Sequence, residues 1–291
     1  MHTLESLKRK LETAGDLHSV ITTMKALAAA NIRHCEQAVL SLSHYARTVE
    51  LGLQVVLRQG PKASPRAREA PREVPGFVVF GSDQGMCGPL NSQVADHALE
   101  AIVPAPATRR TLAVGQRVAS RLEEALGSVE VSAPPSSIAG STSAVQDLLG
   151  SIDRWQTEEG LDQVTLFYPE HQSRASFVPT RVSLLPIDQR WLQQLQARPW
   201  PTRQLPLFTM EANLLFSRLI RQYLFVGLYR AFAETLASEN ASRLLAMQGA
   251  ERNIEERLVE LRNSFHQQRQ QSITEELLDI VGGFEAMQTS E

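Results

Sequence analysis

All 15 prolines of this 291-residue chain lie between Pro61 and Pro206. A proline inside a helix costs about 3 kcal/mol, because it removes a backbone hydrogen bond and its ring clashes with the preceding turn. Two long proline-free flanks around a proline-bearing centre therefore predict long helices at both ends and a globular insert between them.

The N-terminal flank carries a seam. Steps of four and three residues run through Leu7, Leu11, Ala14, His18, Ile21, Lys25, Ala28, Ile32, Cys35 and on to Val56. That 3.5-residue period is the pattern of a left-handed coiled coil, and His18 and Lys25 are its only breaks. Gly15 and Gly52 cost about 1 kcal/mol each in a helix interior, against roughly 1.5–3 kcal/mol for each buried Leu, Ile or Val. The seam outweighs the glycines once it has a partner. The C-terminal flank supplies one, with a helical pattern from Leu207 through Leu215, Leu219, Tyr223 and Val226, then Leu244, Met247, Ile254, Leu258, Leu261 and Phe265. At 1.5 Å per residue the first helix spans about 80 Å and the second about 110 Å. Paired antiparallel from a common base, the longer helix overhangs by about 30 Å. Asn263–Ser272 is polar nearly all round, and beyond it the apolar stripe returns at Ile273, Leu277, Ile280, Val281, Phe284 and Met287. No other part of the chain is placed to cover that tip, which marks an interaction surface.

Between the flanks, residues 60–75 read as a proline-rich basic linker. Strands are then expected at 76–80, 111–114, 129–132, 164–168 and 177–185, the last at an edge because of its prolines. Helices are expected from Pro89, over 116–126 and over 143–155. Alternating strands and helices predict a small α/β domain with a mostly parallel sheet. Residues 186–206 read as a return linker. The resulting domains are 1–59, 60–75, 76–206 and 207–291.

Hydrophobic content of 43 % and charged content of 21 % describe a foldable chain, and a net charge of −3 with no strongly basic segment argues against nucleic acid as a partner. Two cysteines, Cys35 and Cys87, build no disulfide framework. The most apolar stretch, 214–237, contains Arg218, Arg221 and Arg230 and cannot span a membrane. The loop Gly81–Gly88 invites a phosphate-cradle reading, but Pro89 stands where a Walker loop needs Lys, and the dinucleotide spacing fails too. Cys87 reads as a small residue packed in that turn. No histidine pairs at metal-ligand spacing on one helix face. Neither a catalytic site nor a cofactor or metal site is expected.

Four stretches resemble the gamma subunit of F-type ATP synthases. Thr23–Ala30 is similar to the family's A-M-K-M-V-A-A-A-K, and Ser82–Asn91 to its S-D-R-G-L-C-G-G-L-N. Ala237–Met247 looks like A-S-E-x-x-A-R-M-x-A-M, and Ser272–Gly283 resembles S-I-T-x-E-L-x-E-I-V-S-G. Departures at Thr22, Gln84, Pro89 and Phe284, with the unusual linker, suggest a divergent paralogue such as the shaft of a second, variant complex.

The resemblance implies a long antiparallel coiled coil of N- and C-terminal helices plus an inserted Rossmann-like α/β domain. It implies a central rotor shaft that couples proton or sodium flow to ATP chemistry on beta subunits and catalyses nothing itself. Its implied partners are the alpha and beta subunits, the epsilon subunit and the membrane ring of c subunits. Its implied place is the cytoplasmic face of a bacterial inner membrane, peripheral and held only through the complex. By matched motif position, rotor–stator contacts are expected at Met24, Lys25, Arg243, Gln270, Thr274 and Glu276. A coiled-coil tether with a ligand-binding α/β domain is the alternative from another class. Deleting Ile273–Glu291 is expected to leave the remaining chain folded, read by circular dichroism and thermal melting. Unfolding would show that the tip packs internally.

Overall fold

A computed structural model describes residues 4–59, 74–172, 176–204 and 206–288, with side chains to residue 282. Its residues fall into two compact bodies, one of Met1–Leu27 with Leu244–Glu291 and one of Ala28–Arg243. Among the described residues no helix is long and apolar enough to cross a membrane.

Helix α1 runs over Leu4–Gln59 and helix α6 over Ala212–Gln288, without interruption in either. Both contribute to both bodies. In the smaller body the seam is apolar at Leu7, Ala14, Leu258 and Leu261, flanked by Leu11, Ile254 and Phe265. The pairing is antiparallel, since low numbers in α1 meet high numbers in α6. A groove lined by Leu7, Lys10, Leu261, Ser264, Gln268 and Gln271 marks where the first turns of α1 lie along α6. The helix continues past that groove for roughly 25 Å at 1.5 Å per residue.

The larger body is built on a five-stranded sheet in the order β3-β2-β1-β4-β5. The strands are β1 (Pro75–Phe80), β2 (Arg110–Val114), β3 (Glu130–Ser132), β4 (Gln163–Gln172) and β5 (Ser176–Leu185). The first four in that order pair in parallel, and β5 closes one edge antiparallel to β4. Helices α2 (Leu90–Ile102), α3 (Gln116–Leu126) and α4 (Ser141–Glu158) connect them. Residues 77–80 are apolar without a break because β1 is covered on both faces. Phe77 and Val79 face α2 and α3, packing with Val94, Ala98, Val118 and Leu122. Val78 and Phe80 face α4 and α6, packing with Leu148, Ile152, Leu228 and Phe232. The Phe80 and Phe232 rings meet edge to face at 5.0 Å.

Two expectations are corrected. The segment 186–206 is not a bare linker, because it contains helix α5 (Gln189–Ala197). The Asp188 carboxylate caps it by accepting from the backbone N–H of Arg190 at 2.8 Å. Leu195 then packs, 2 % exposed, against Val49 and Leu53 of α1, with Trp191 stacked beside Tyr223. The apolar residues of α5 are few and its flanks are rich in proline, so its periodicity is faint. The C-terminal helix begins at Ala212 and not at Leu207, which is 88 % exposed. Glu211 sets the start by accepting from the N–H groups of Asn213 and Leu214. Most of the 60–75 stretch lies outside the described residues, and Pro75 opens β1. At Gly52 an added Cβ would sit 3.0 Å from the Leu219 side chain, so its absence lets α6 approach. Nothing within 4 Å explains Gly15.

Replacing Phe232, 2 % exposed, with Ala should lower the unfolding free energy by about 3–5 kcal/mol in denaturant titration. A change near zero would mean that α6 is not a wall of this core.

Candidate functional site

The helical period that predicts burial puts polar groups at the two seam breaks, His18 and Lys25. Both meet carboxylates from α6. His18 Nε2 lies 3.5 Å from Glu255 Oε1, and Lys25 Nζ lies 2.5 Å from Glu251 Oε2. Thr22 Oγ1 also donates to Glu251, at 3.4 Å. Hydrogen bonding from Lys25 is the main cause that holds the Glu251 carboxyl below the ordinary glutamate range. His18, Glu251 and Glu255 place ligand atoms within 4.8 Å of one another. The Lys25 ammonium already neutralises Glu251, and no further observation asks for a metal there. Sequence spacing could not assemble this group, since its members come from opposite ends of the chain.

Met24, next to Lys25 in α1, is half-buried. Gln270, Thr274 and Glu276 are exposed on α6, where Thr274 Oγ1 donates back to the carbonyl of Gln270 at 2.8 Å. Further along, Ile273 is 48 % exposed, Leu277 58 %, Ile280 67 % and Val281 53 %. Leu278, at 65 %, belongs with them, although the stripe read from the sequence does not include it. The side chains of Phe284 and Met287 lie outside the described residues.

Arg243 requires a correction. As a rotor–stator contact it would have to face outward, but it is 7 % exposed and engaged within the chain. Its Nη2 donates to Glu239 Oε1 at 2.5 Å and to the backbone carbonyl of Gly85 at 3.5 Å. Glu239 is also buried, and desolvation raises its pKa while the Arg243 hydrogen bond opposes the shift. The motif position alone could not tell an inward arginine from an outward one.

The loop 81–88 is a tight structural turn. An added Cβ on Gly81 would lie 2.5 Å from Val118 and 2.6 Å from Asn91, so only glycine fits where the loop leaves β1. Asn91 accepts from the backbone N–H of Ser82 and donates to its hydroxyl, both at 2.9 Å. The Asp83 carboxylate accepts from the N–H of Gln116 at the start of α3, at 2.8 Å. Cys87 is buried among Ser82, Gln84 and Asn91. Met86 sits at φ 62° and is 56 % exposed. Cys35 of α1 is also buried, against Leu236 and Ala237, and its thiol is pushed up to about 11, chiefly by desolvation.

Replacing Lys25 with Met should return the Glu251 carboxyl upward toward the ordinary value of 4.5, read by carbon-detected NMR titration. Because the folded value is depressed, the pair stabilises the helices at neutral pH. That contribution fades as pH falls through the folded value. An unmoved Glu251 titration in the variant would contradict the pairing.

A family model described as ATP synthase matches residues 3–287. The chain is 26 % identical over 295 residues to an ATP synthase gamma chain of Desulfitobacterium hafniense, covering 99 % of this chain and 100 % of that one. It is 28 % identical over 305 residues to an ATP synthase gamma chain of Nitratidesulfovibrio vulgaris, covering 99 % of each. Its fold resembles a chain of the Euglena gracilis mitochondrial ATP synthase rotor, solved by cryo-EM, with a TM-score of 0.62 at 16 % identity over 93 % of this chain and 98 % of that one. A chain of the OSCP/F1/c-ring structure from the same organism gives 0.64 at 19 % identity over 98 % and 94 %. With the match running nearly from end to end, the chain belongs to the ATP synthase family, in which the relatives it resembles are gamma chains.

Proposed function

We propose that this chain is the central rotor shaft, the gamma subunit, of an F-type ATP synthase. It would couple proton or sodium flow through a membrane ring to ATP synthesis or hydrolysis on beta subunits. The observation that carries this reading is the end of α6. Its turns beyond the groove with α1 present exposed Ile273, Leu277, Leu278, Ile280 and Val281. Left in water, such a stripe forfeits the burial that would stabilise it at roughly 25 cal/mol per Å². An apolar bearing in a ring of alpha and beta subunits supplies the missing cover, with Phe284 as its expected last member. The preceding polar turns suit a surface that must turn against its surroundings without sticking.

In this reading Met24, Gln270, Thr274 and Glu276 touch the surrounding subunits, and Lys25 joins them while shared with Glu251. Residues 1–59 and 207–291 form the shaft. Residues 76–206, joined through 60–75, form the base that grips the epsilon subunit and the c ring. Nucleotide chemistry falls to the beta subunits. The chain sits peripherally at the cytoplasmic face of a bacterial inner membrane, held there by its partners.

Co-expression with cognate alpha and beta subunits tests the reading. The expected result is a complex that co-purifies and whose ATP hydrolysis depends on this chain. A purified chain with no affinity for the alpha/beta hexamer would sink it.

A further inference from the structure

The glycine loop is tied by side-chain hydrogen bonds to both α2 and α3. Its contact with α6 differs in kind from the rest of that helix's packing. At Leu224, Leu228, Ala231 and Phe232 the helix meets the sheet through apolar side chains. Such contacts resist separation, but they are non-directional and resist rolling poorly. From Glu234 to Arg243 the helix is buried on every side, and polar Glu234, Ser238, Glu239 and Arg243 join apolar Leu236, Ala237 and Ala241 in that burial. Glu234 accepts from the backbone N–H of His171 at 3.0 Å, and Ser238 donates to the carbonyl of Pro169 at 2.9 Å. Arg243 reaches the carbonyl of Gly85 while held by Glu239 one turn earlier. Directional bonds of this kind fix both the height and the rotation of a helix against its neighbour.

The loop end of the last bond is itself immobilised. Ser82 is tied to Asn91 of α2, and Asp83 to the first turn of α3. A force on Arg243 therefore passes through Gly85 into two helices and the central strand. A buried ion pair is weak evidence for stability, because desolvation consumes much of its Coulomb gain, and it is better understood as a device for specifying geometry.

We propose that Arg243 and Glu239 form a key that locks the rotation of α6 to the glycine loop. In this role they are positioning residues for torque transfer between helix and α/β insert. The torque part rests on the rotary reading above. The lock itself does not.

The test uses the full chain carrying Glu239→Leu together with Arg243→Met, which removes the key without leaving a lone buried charge. Its melting should stay close to wild type, while the backbone amides of residues 84–86, which the Ser82 and Asp83 ties do not hold, exchange about tenfold faster in hydrogen-exchange mass spectrometry. Arg243→Lys, which keeps the charge but loses the fork, should give an intermediate rate. In the complex reconstituted into vesicles, the double variant should hydrolyse ATP yet lose ion pumping per ATP. Wild-type exchange rates in the loop would overturn the lock. Fast loop exchange with undiminished pumping per ATP would overturn its part in torque transfer. Should the wild-type complex itself fail to pump, the rotary reading is at fault, and the exchange rates decide the lock alone.

Discussion

Neither long helix can bury its apolar face alone. A helix of this length presents a narrow stripe of apolar residues, and most helical stability in proteins comes from packing such a stripe against something. In the smaller body α1 and α6 supply each other's cover through Leu7, Ala14, Leu258 and Leu261. In the larger body they share it with α5, through Val49, Leu53, Leu195 and Leu219. That mutual dependence explains why the chain must leave one flank, build a globular unit and return. It also explains why the longer flank is left with an uncovered end.

Within the larger body, the sheet shows how one helix can serve two masters. The face of β1 that carries Val78 and Phe80 is covered only in part by α4, and α6 completes the cover, with Phe232 opposite Phe80. The same helix, over the next three turns, adds buried polar bonds to β4 and to the glycine loop. Cohesion and orientation are thus supplied by different residues of one buried helical stretch. A substitution can therefore disturb orientation while leaving stability nearly intact.

Much of this was legible in the sequence. The absence of proline marked α1 and α6, and the apolar run 77–80 marked a strand covered on both faces. Strand–helix alternation gave the parallel sheet, and Pro179 and Pro186 pointed to β5 as its edge. What stayed hidden depends on distant pairing. α5 is stabilised by Leu195 meeting Val49 and Leu53, which no local pattern records. His18 and Lys25 looked like flaws in a seam until Glu255 and Glu251 arrived from the other end of the chain. Arg243 matched a motif whose spacing does not say which way a side chain turns. The glycine loop was legible as a tight turn, but its tie to α6 was not.

Rotation of this chain inside a ring of catalytic subunits is tested most directly by fixing the alpha and beta subunits to a surface and attaching a visible probe to the α/β insert. ATP should then drive rotation of the probe in one direction, in steps that reflect the ring's threefold symmetry. ATP hydrolysis at full rate with a stationary probe would contradict the account.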